Sequence, residues 1–148
     1  MIRWAVIGLS VFLLAAFAVA ARADDAKPPP TPEQRMQARF PQKVRVGDLL
    51  GLPLLDDNHS TLGLVHDVAR STDGKLKLVI GYGGIFSYLG WSGRPVAVPI
   101  EAICIRGREL ASLDMSRSEY AAAPTWRQDG AAKLPPDATI LVALCRGY

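Results

Sequence analysis

The stretch Leu76–Pro99, LKLVIGYGGIFSYLGWSGRPVAVP, most constrains what this chain of 148 residues can fold into. From Lys75 to Ile80 polar and apolar residues alternate until the last step, which is typical of a half-buried strand. A second short apolar run, Arg94 to Pro99, is bounded by prolines. We call the segment between the runs, Gly81–Gly93, the aromatic connection, because it is rich in glycine and aromatic residues. The pattern predicts two strands of a small β domain, and Pro95 places the second strand at an edge.

The first 23 residues have the organisation of a secretory signal peptide. Arg3 gives a minimal positive region, and Trp4–Ala21 is an uncharged apolar stretch. Small residues at 21 and 23 suit a signal peptidase, so we expect cleavage after Ala23 and a periplasmic mature protein. An uncleaved leader that anchors the chain in the inner membrane stays open, because 18 uncharged residues lie near the lower limit for spanning a bilayer.

The charge balance gives no support to a nucleic-acid partner. Removal of Arg3 and Arg22 with the leader takes the 17 basic residues to 15, against 14 acidic ones. The remaining basic residues are spread along the chain rather than clustered, whereas nucleic-acid-binding proteins carry a basic patch or stripe. We therefore expect no nucleic-acid partner.

The chain has two cysteines, Cys104 and Cys145. In an exported protein a pair of cysteines is commonly a structural disulfide, and no C-x-x-C motif indicates a redox site. We expect a bridge that ties the C-terminal segment to the domain. The alternative is that both are small buried hydrophobic residues.

The whole chain divides into four predicted segments: a signal peptide over 1–23, a Pro-rich flexible arm over 24–42, a β domain over 43–126 and a C-terminal extension over 127–148. Within the arm, Thr31 and Pro32 favour the start of a short helix that runs to Phe40. Within the extension, Thr139–Cys145 predicts an added strand.

Local patterns predict several details of the β domain. The run Lys43–Leu54 alternates as a strand broken by two glycines, and Thr61–Arg70 loses its period of two, which indicates a bulge or burial on both faces. Thr72-Asp73-Gly74-Lys75 predicts a hairpin with a type I′ turn. Ser116 and Glu119 form a capping box that starts a short helix, which Pro124 stops.

The segment Val44–Trp126 resembles the PRC-barrel family, which includes a barrel of the photosynthetic reaction-centre H subunit. The resemblance lies in short motifs in a shared order: VGDLLG at 46–51, LGLVHDV at 62–68, DG at 73–74, LVI at 78–80, GG at 83–84, VAVP at 96–99, LDMS at 113–116 leading to Glu119, and PTW at 124–126. It implies a mainly β fold, a PRC-type barrel of five or six strands with a short C-terminal helix, to which this chain adds a C-terminal strand. It further implies that Asp67 ties a neighbouring backbone turn.

The sequence contains no convincing catalytic or metal-binding motif. His59 and His66, with Asp56, Asp57 and Asp67 nearby, could suggest a zinc-like site, but their spacing matches no established ligand pattern. The sequence around Ser92 lacks the glycine and the helix of a nucleophile elbow. We therefore expect no enzyme activity, no catalytic residue, no cofactor and no metal.

The aromatic connection is the remaining candidate for a site. Its expected contact residues are Phe86, Tyr88, Trp91 and Arg94, because aromatic and arginine side chains are favoured in binding surfaces. The alternative is that some of these aromatic residues fold back and close one end of the barrel.

The resemblance implies an assembly or adaptor module rather than an enzyme. We expect an adaptor that binds a protein or a membrane-associated assembly of unknown identity. The alternative function is a small-ligand or metal-binding sensor of the cell envelope, and homo-oligomer formation stays open.

Overall fold

A computed structural model gives the structure of residues 27–84 and 93–146. In these ranges the helices are α1 (Pro32–Ala38), α2 (Val46–Leu49) and α3 (Arg117–Ala122), with a 3₁₀ turn at Ile100–Ala102. The strands are β1 (Gln42–Arg45), β2 (Pro53–Leu55), β3 (Thr61–Arg70), β4 (Leu76–Tyr82), β5 (Arg94–Pro99), β6 (Ile103–Arg106), β7 (Glu109–Ser112), β8 (Ala132–Lys133) and β9 (Thr139–Leu144). The predicted signal peptide and its cleavage after Ala23 lie outside the described residues. Among the helices of the described ranges, none has the length and hydrophobicity needed to cross a membrane.

The strands form one mixed sheet that is not closed. Their order is β1-β9-β6-β7-β2-β3-β4-β5, and β8 pairs with the end of β3. The pairs β6–β9 and β2–β7 are parallel, and the other pairs are antiparallel. The prediction of a mainly β fold is confirmed, whereas a closed barrel of five or six strands is not. The predicted C-terminal strand, β9, is present, but it lies inside the sheet between β1 and β6.

Strand β3 contains the predicted bulge. Val65 pairs with Ile80 and Asp67 pairs with Val79, so His66 is an extra residue without a partner on β4. Before the bulge Leu62 and Val65 are buried, and after it Val68 and Ala69 are buried. The extra residue explains why the apolar positions of this strand lose their period of two.

The hairpin between β3 and β4 is confirmed, but its turn type differs from the prediction. Gly74 donates to the carbonyl of Ser71 at 2.8 Å and has a φ of +82°, whereas the φ of Asp73 is not positive. A type I′ turn needs two residues with positive φ, so this prediction was wrong. The carboxylate of Asp73 accepts hydrogen bonds from the hydroxyl of Ser71 and the backbone of Lys75, which hold the alternative turn.

Strand β5 lies at one edge of the sheet, as Pro95 predicts. Because consecutive residues of a strand point their amides to opposite sides, Pro95, Ala97 and Pro99 share one orientation. The prolines cannot donate to β4, so this orientation is the outer one. Of the three outward backbone nitrogens only that of Ala97 carries a hydrogen, and the carbonyl of Pro95 accepts from the backbone N–H of Trp126 at 2.8 Å.

The segment predicted as strand over Lys43–Leu54 contains a helical turn. Val46 and Leu49 are three residues apart, and a helical turn places both on one face, where they are 1% and 0% exposed. Continued strand geometry would point these two residues to opposite faces. Burial of both residues therefore favours α2 between β1 and β2.

The core is a single cluster of apolar side chains beneath the sheet. Within the described ranges it comprises Val46, Leu49, Leu54, Leu62, Val65, Val68, Leu78, Ile80, Val96, Val98, Ile100, Ala102, Ile103, Leu110, Tyr120, Ile140 and Val142. Tyr120, on α3, is fully buried, and its hydroxyl lies 2.8 Å from the hydroxyl of Ser112. Burial raises the pKa of Tyr120 to about 12, so this phenol stays neutral.

Helix α1 belongs to the folded body. The capping box of Thr31 and Gln34 starts it, and Met36 packs against the core. At its end Arg39 donates to both carboxylate oxygens of Asp114 at 3.0 Å each, and these bonds hold the pKa of Asp114 below its usual value. The second half of the segment predicted as a flexible arm is thus fixed to the domain.

The two cysteines form a disulfide. Cys104 lies on β6, Cys145 follows β9, and their Cα atoms are 5.1 Å apart. The bridge closes the end of the parallel β6–β9 pair, where Cys145 also donates its backbone N–H to Ile105 at 2.9 Å. Disulfides persist in oxidising compartments, so the bond places the chain in an oxidising, exported environment.

We expect that loss of this bond will weaken the fold. For a sequence separation of 41 residues, the loop-entropy relation gives a contribution of about 4 kcal/mol. The double variant Cys104→Ser, Cys145→Ser should therefore unfold at a lower urea concentration than the native protein. Reductant should lower the midpoint urea concentration of the native protein and leave that of the double variant unchanged. An equal midpoint for the native protein with and without reductant, after loss of the bond is verified by mass, would contradict the expectation.

Candidate functional site

The sequence-predicted contact residues fall into two groups. Phe86, Tyr88 and Trp91 lie outside the described residues, so their role in binding stays a prediction. Arg94 is described, at the start of β5 and half-buried. The structure therefore describes the two ends of the aromatic connection, where Tyr82 pairs with Arg94, and we call this place the root of the connection.

Arg94 caps the C-terminal end of α3. Its guanidinium donates to the carbonyl oxygens of Tyr120 and Ala121 at 3.0 Å each and also to that of Ala123. Carbonyls of the last helical turn have no partner within the helix, and a cation there is favourable. The guanidinium also lies 5.7 Å from the ring centre of Tyr82, which stacks on Tyr120. Arg94 thus joins the root of the connection to the core.

A glycine is required where the aromatic connection meets β5. Gly93 has a φ of +72°, in the left-handed region, and an added Cβ would lie 2.5 Å from the carbonyl oxygen of Tyr82. Together with the Tyr82–Arg94 pair of β4 and β5, this contact brings the two ends of the connection together.

A cleft lies on the outer face of the sheet beside this root. We call it the bulge cleft, because the bulge residue His66 and its neighbour Asp67 form one side. Trp126 and Pro95 lie opposite, Gly81 and Gly93 add no side chains, and the volume is about 270 Å³. Bulges often re-aim side chains next to functional sites. The cleft combines an indole, an imidazole and a carboxylate around a space large enough for a small side chain or ligand.

Only one of the two carboxylate oxygens of Asp67 has a partner among the described residues. Its Oδ1 is 2.8 Å from the Nζ of Lys133 on β8. Its Oδ2 has no hydrogen-bond partner among the described residues, although a carboxylate can accept about four bonds. The bulge cleft therefore offers a carboxylate oxygen that can accept a further hydrogen bond.

The residue that ties a backbone turn is Asp56, not Asp67. Asp56 accepts backbone hydrogen bonds from Asn58 and Ser60 and an ion-pair contact of 2.8 Å from Arg117 on α3. The backbone N–H of Ser60, and secondly Arg117, hold the pKa of Asp56 below its usual value. Asp67 instead pairs with Lys133, and among the described residues its carboxylate accepts no backbone hydrogen bond, so the role that the resemblance implies for Asp67 is not seen.

The two histidines lie in different environments. His59 has a φ of +60° in the 56–60 turn, and its Nε2 lies 2.9 Å from Nη1 of Arg106. His66 lies on the bulge of β3. In the described ranges no group of three or more histidine, cysteine, aspartate and glutamate residues is arranged to hold a metal ion.

A second depression flanks the same root on its other side. It has a volume of about 410 Å³, and its lining includes Pro53, Thr61, Leu64, Gly83 and Gly84. The two ends of the aromatic connection thus each border a concave surface. No sequence motif predicts either depression; Trp126 and His66 of the bulge cleft, for example, are 60 residues apart in the chain.

Comparison with known proteins does not assign a family: the chain matches no protein-family model, and no curated protein matches its sequence. The PRC-barrel resemblance rests on the motifs that carry it and stays a prediction.

We expect that Arg94→Met will destabilise the fold. The change leaves carbonyls at the end of α3 unpaired and removes charge-assisted hydrogen bonds, with an expected loss of about 2 kcal/mol in the free energy of unfolding. Urea unfolding measures this loss. Arg127→Met, at an exposed position, is the matched control and should stay within about 0.5 kcal/mol of the native value. Equal effects of the two changes would contradict the capping role.

The lowered pKa values of Asp56 and Asp114 predict acid sensitivity. A carboxyl group whose pKa is lower in the folded state stabilises the fold above the pKa of the unfolded state, about 3.9, and this stability is lost as pH falls further. We expect the midpoint urea concentration of unfolding to decrease as the pH is lowered past about 4. In Asp56→Asn this decrease should be smaller. Asp57→Asn is the control, and an equal pH dependence in both variants would exclude Asp56 as the source.

Proposed function

We propose that this chain is a non-enzymatic binding module of the PRC-barrel type. In this proposal it acts in the periplasm as an adaptor, and its aromatic connection contacts a protein or a membrane-associated complex. The partner is a macromolecule rather than a substrate to be transformed, because the residues suggested for binding are aromatic and such side chains are favoured at protein interfaces.

The observation that carries the proposal is the way the connection is held at its root. Arg94 is bonded to two carbonyls of α3 and to that of its C-cap residue Ala123, and Gly93 lies against the backbone of Tyr82. Loops positioned by a rigid scaffold are where binding residues concentrate. A rigid root reduces the ordering cost of binding, which favours the connection as a contact surface.

The role of Arg94 within this proposal differs from that expected from sequence. Its guanidinium is engaged with α3 and Tyr82, so we assign it to support of the connection. The contacts are assigned to Phe86, Tyr88 and Trp91. Large aromatic side chains contribute most of the affinity at many protein interfaces.

The compartment is the second part of the proposal. The disulfide supports an oxidising environment, and the apolar leader with small residues at 21 and 23 supports export to the periplasm. Intact mass of the purified protein tests cleavage after Ala23. A retained leader would instead favour the inner-membrane-anchored form.

We expect that the double variant Tyr88→Ala, Trp91→Ala will lose its partner. Truncation of two aromatic contact residues should weaken capture at least about tenfold, as measured by crosslinking and pull-down from the periplasm. Leu141→Ala, which truncates an exposed apolar residue on β9, is the control and should retain capture. Undiminished capture by a folded double variant would overturn the assignment of the aromatic connection.

A further inference from the structure

The part of the proline-rich arm that the structure describes before α1 is Lys27–Pro30, and we call these four residues the arm. Residues Lys27–Pro30, with the sequence KPPP, are exposed and belong to no helix or strand. They make no side-chain hydrogen bond or ion pair with the rest of the described chain. Lys27, Pro28, Pro29 and Thr31 each precede a proline, which restricts them to extended geometry.

This arm is suited to the polyproline II conformation. Each proline fixes its φ near −65°, and Thr31, directly after the arm, has φ −63° and ψ 160°. Such a segment loses little conformational entropy on binding, and proline-rich segments dock into grooves lined by aromatic residues.

The bulge cleft has the features that such a segment requires. The indole of Trp126 and the ring of Pro95 offer apolar walls, and Gly81 and Gly93 leave the space between them open. The backbone bond from Trp126 to Pro95 fixes these walls relative to each other. Among the described lining residues Asp67 is the acidic one and none is a lysine or an arginine, which favours a ligand with a positive charge beside its prolines.

We propose that the bulge cleft of one molecule binds the arm Lys27–Pro30 of a second copy of this chain. The prolines lie against Trp126 and Pro95, and the Lys27 ammonium group lies at the Oδ2 atom of Asp67, opposite Lys133. Each copy has one arm and one cleft, so two copies can exchange arms reciprocally in a closed dimer, the commonest symmetry of soluble oligomers. This assembly goes beyond the proposed adaptor function and uses none of the aromatic contact residues assigned to it.

A charge exchange between two variants tests the proposal. Lys27→Glu places a glutamate opposite Asp67, and Asp67→Lys places a lysine opposite Lys27, so each variant alone should dimerise about tenfold more weakly than the native protein. In an equimolar mixture each arm meets a cleft of opposite charge, and dimerisation should return. Sedimentation velocity over a concentration series, at low ionic strength, measures dimerisation of the native protein, of each variant and of the mixture.

The controls match the charge changes at exposed positions outside the arm and cleft. Arg108→Glu and Asp57→Lys should dimerise as the native protein does, and urea unfolding verifies that every variant is folded. Trp126→Phe keeps an aromatic wall and should dimerise more strongly than Trp126→Ala.

Three results would overturn the proposal. The first is a native protein that stays monomeric up to about 1 mM, which is the weakest affinity that such a contact should show. The second is a mixture of the charge variants that dimerises no better than either variant alone, as expected if each arm binds the cleft of its own chain. The third is unchanged dimerisation in both charge variants, which would place the interface elsewhere. None of these results bears on partner capture through Tyr88 and Trp91.

Discussion

The pairing of β9 with both β1 and β6 is the constraint on which the rest of the sheet depends. Among the described strands, β1 pairs only with β9. The two strands are separated by about 95 residues of sequence. Parallel pairing of β9 with β6 is short, covering Cys104–Ala143 and Ile105–Leu144, and the disulfide lies at its end. A short parallel contact of high sequence separation is entropically costly to form, and a covalent bond at that point offsets part of the cost.

The same arrangement places the functional candidates on the opposite part of the sheet. Strands β3, β4 and β5 make the longest antiparallel pairs and contain the bulge, the connection and the edge with its two prolines. Arg94 extends this unit to α3, and Tyr120 of α3 inserts into the core. The site region is therefore held by local hairpins and by a surface helix anchored through its buried Tyr120, whereas the disulfide secures the distant end.

Patterns within short stretches of sequence predicted short-range structure well. The Ser116–Glu119 capping box, the irregular period of Thr61–Arg70 and the edge position of Pro95 each reflect backbone chemistry that a few residues determine. The same holds for the helix start at Thr31 and Pro32. The helical turn at Val46–Leu49 was not predicted, because the sequence alternates as a strand does. The structure buries both Val46 and Leu49, and only a helical turn places both on one face. The open sheet and the bulge cleft were not predictable, since they depend on which distant strands pair. The central aromatic residues of the expected site lie outside the described residues, so they remain predictions.

The outer side of β5 has a consequence for behaviour at high concentration. An exposed strand edge is a template on which other chains can add strands, and it is a common origin of aggregation. With prolines at two of three outward positions, one of the two open edges of this sheet cannot present a regular row of donors. The other edge, β1, carries the exposed cation Lys43, which repels a like strand, and the exposed Arg45, which is paired with Asp48. An open sheet of this kind can therefore stay colloidally stable without closing into a barrel.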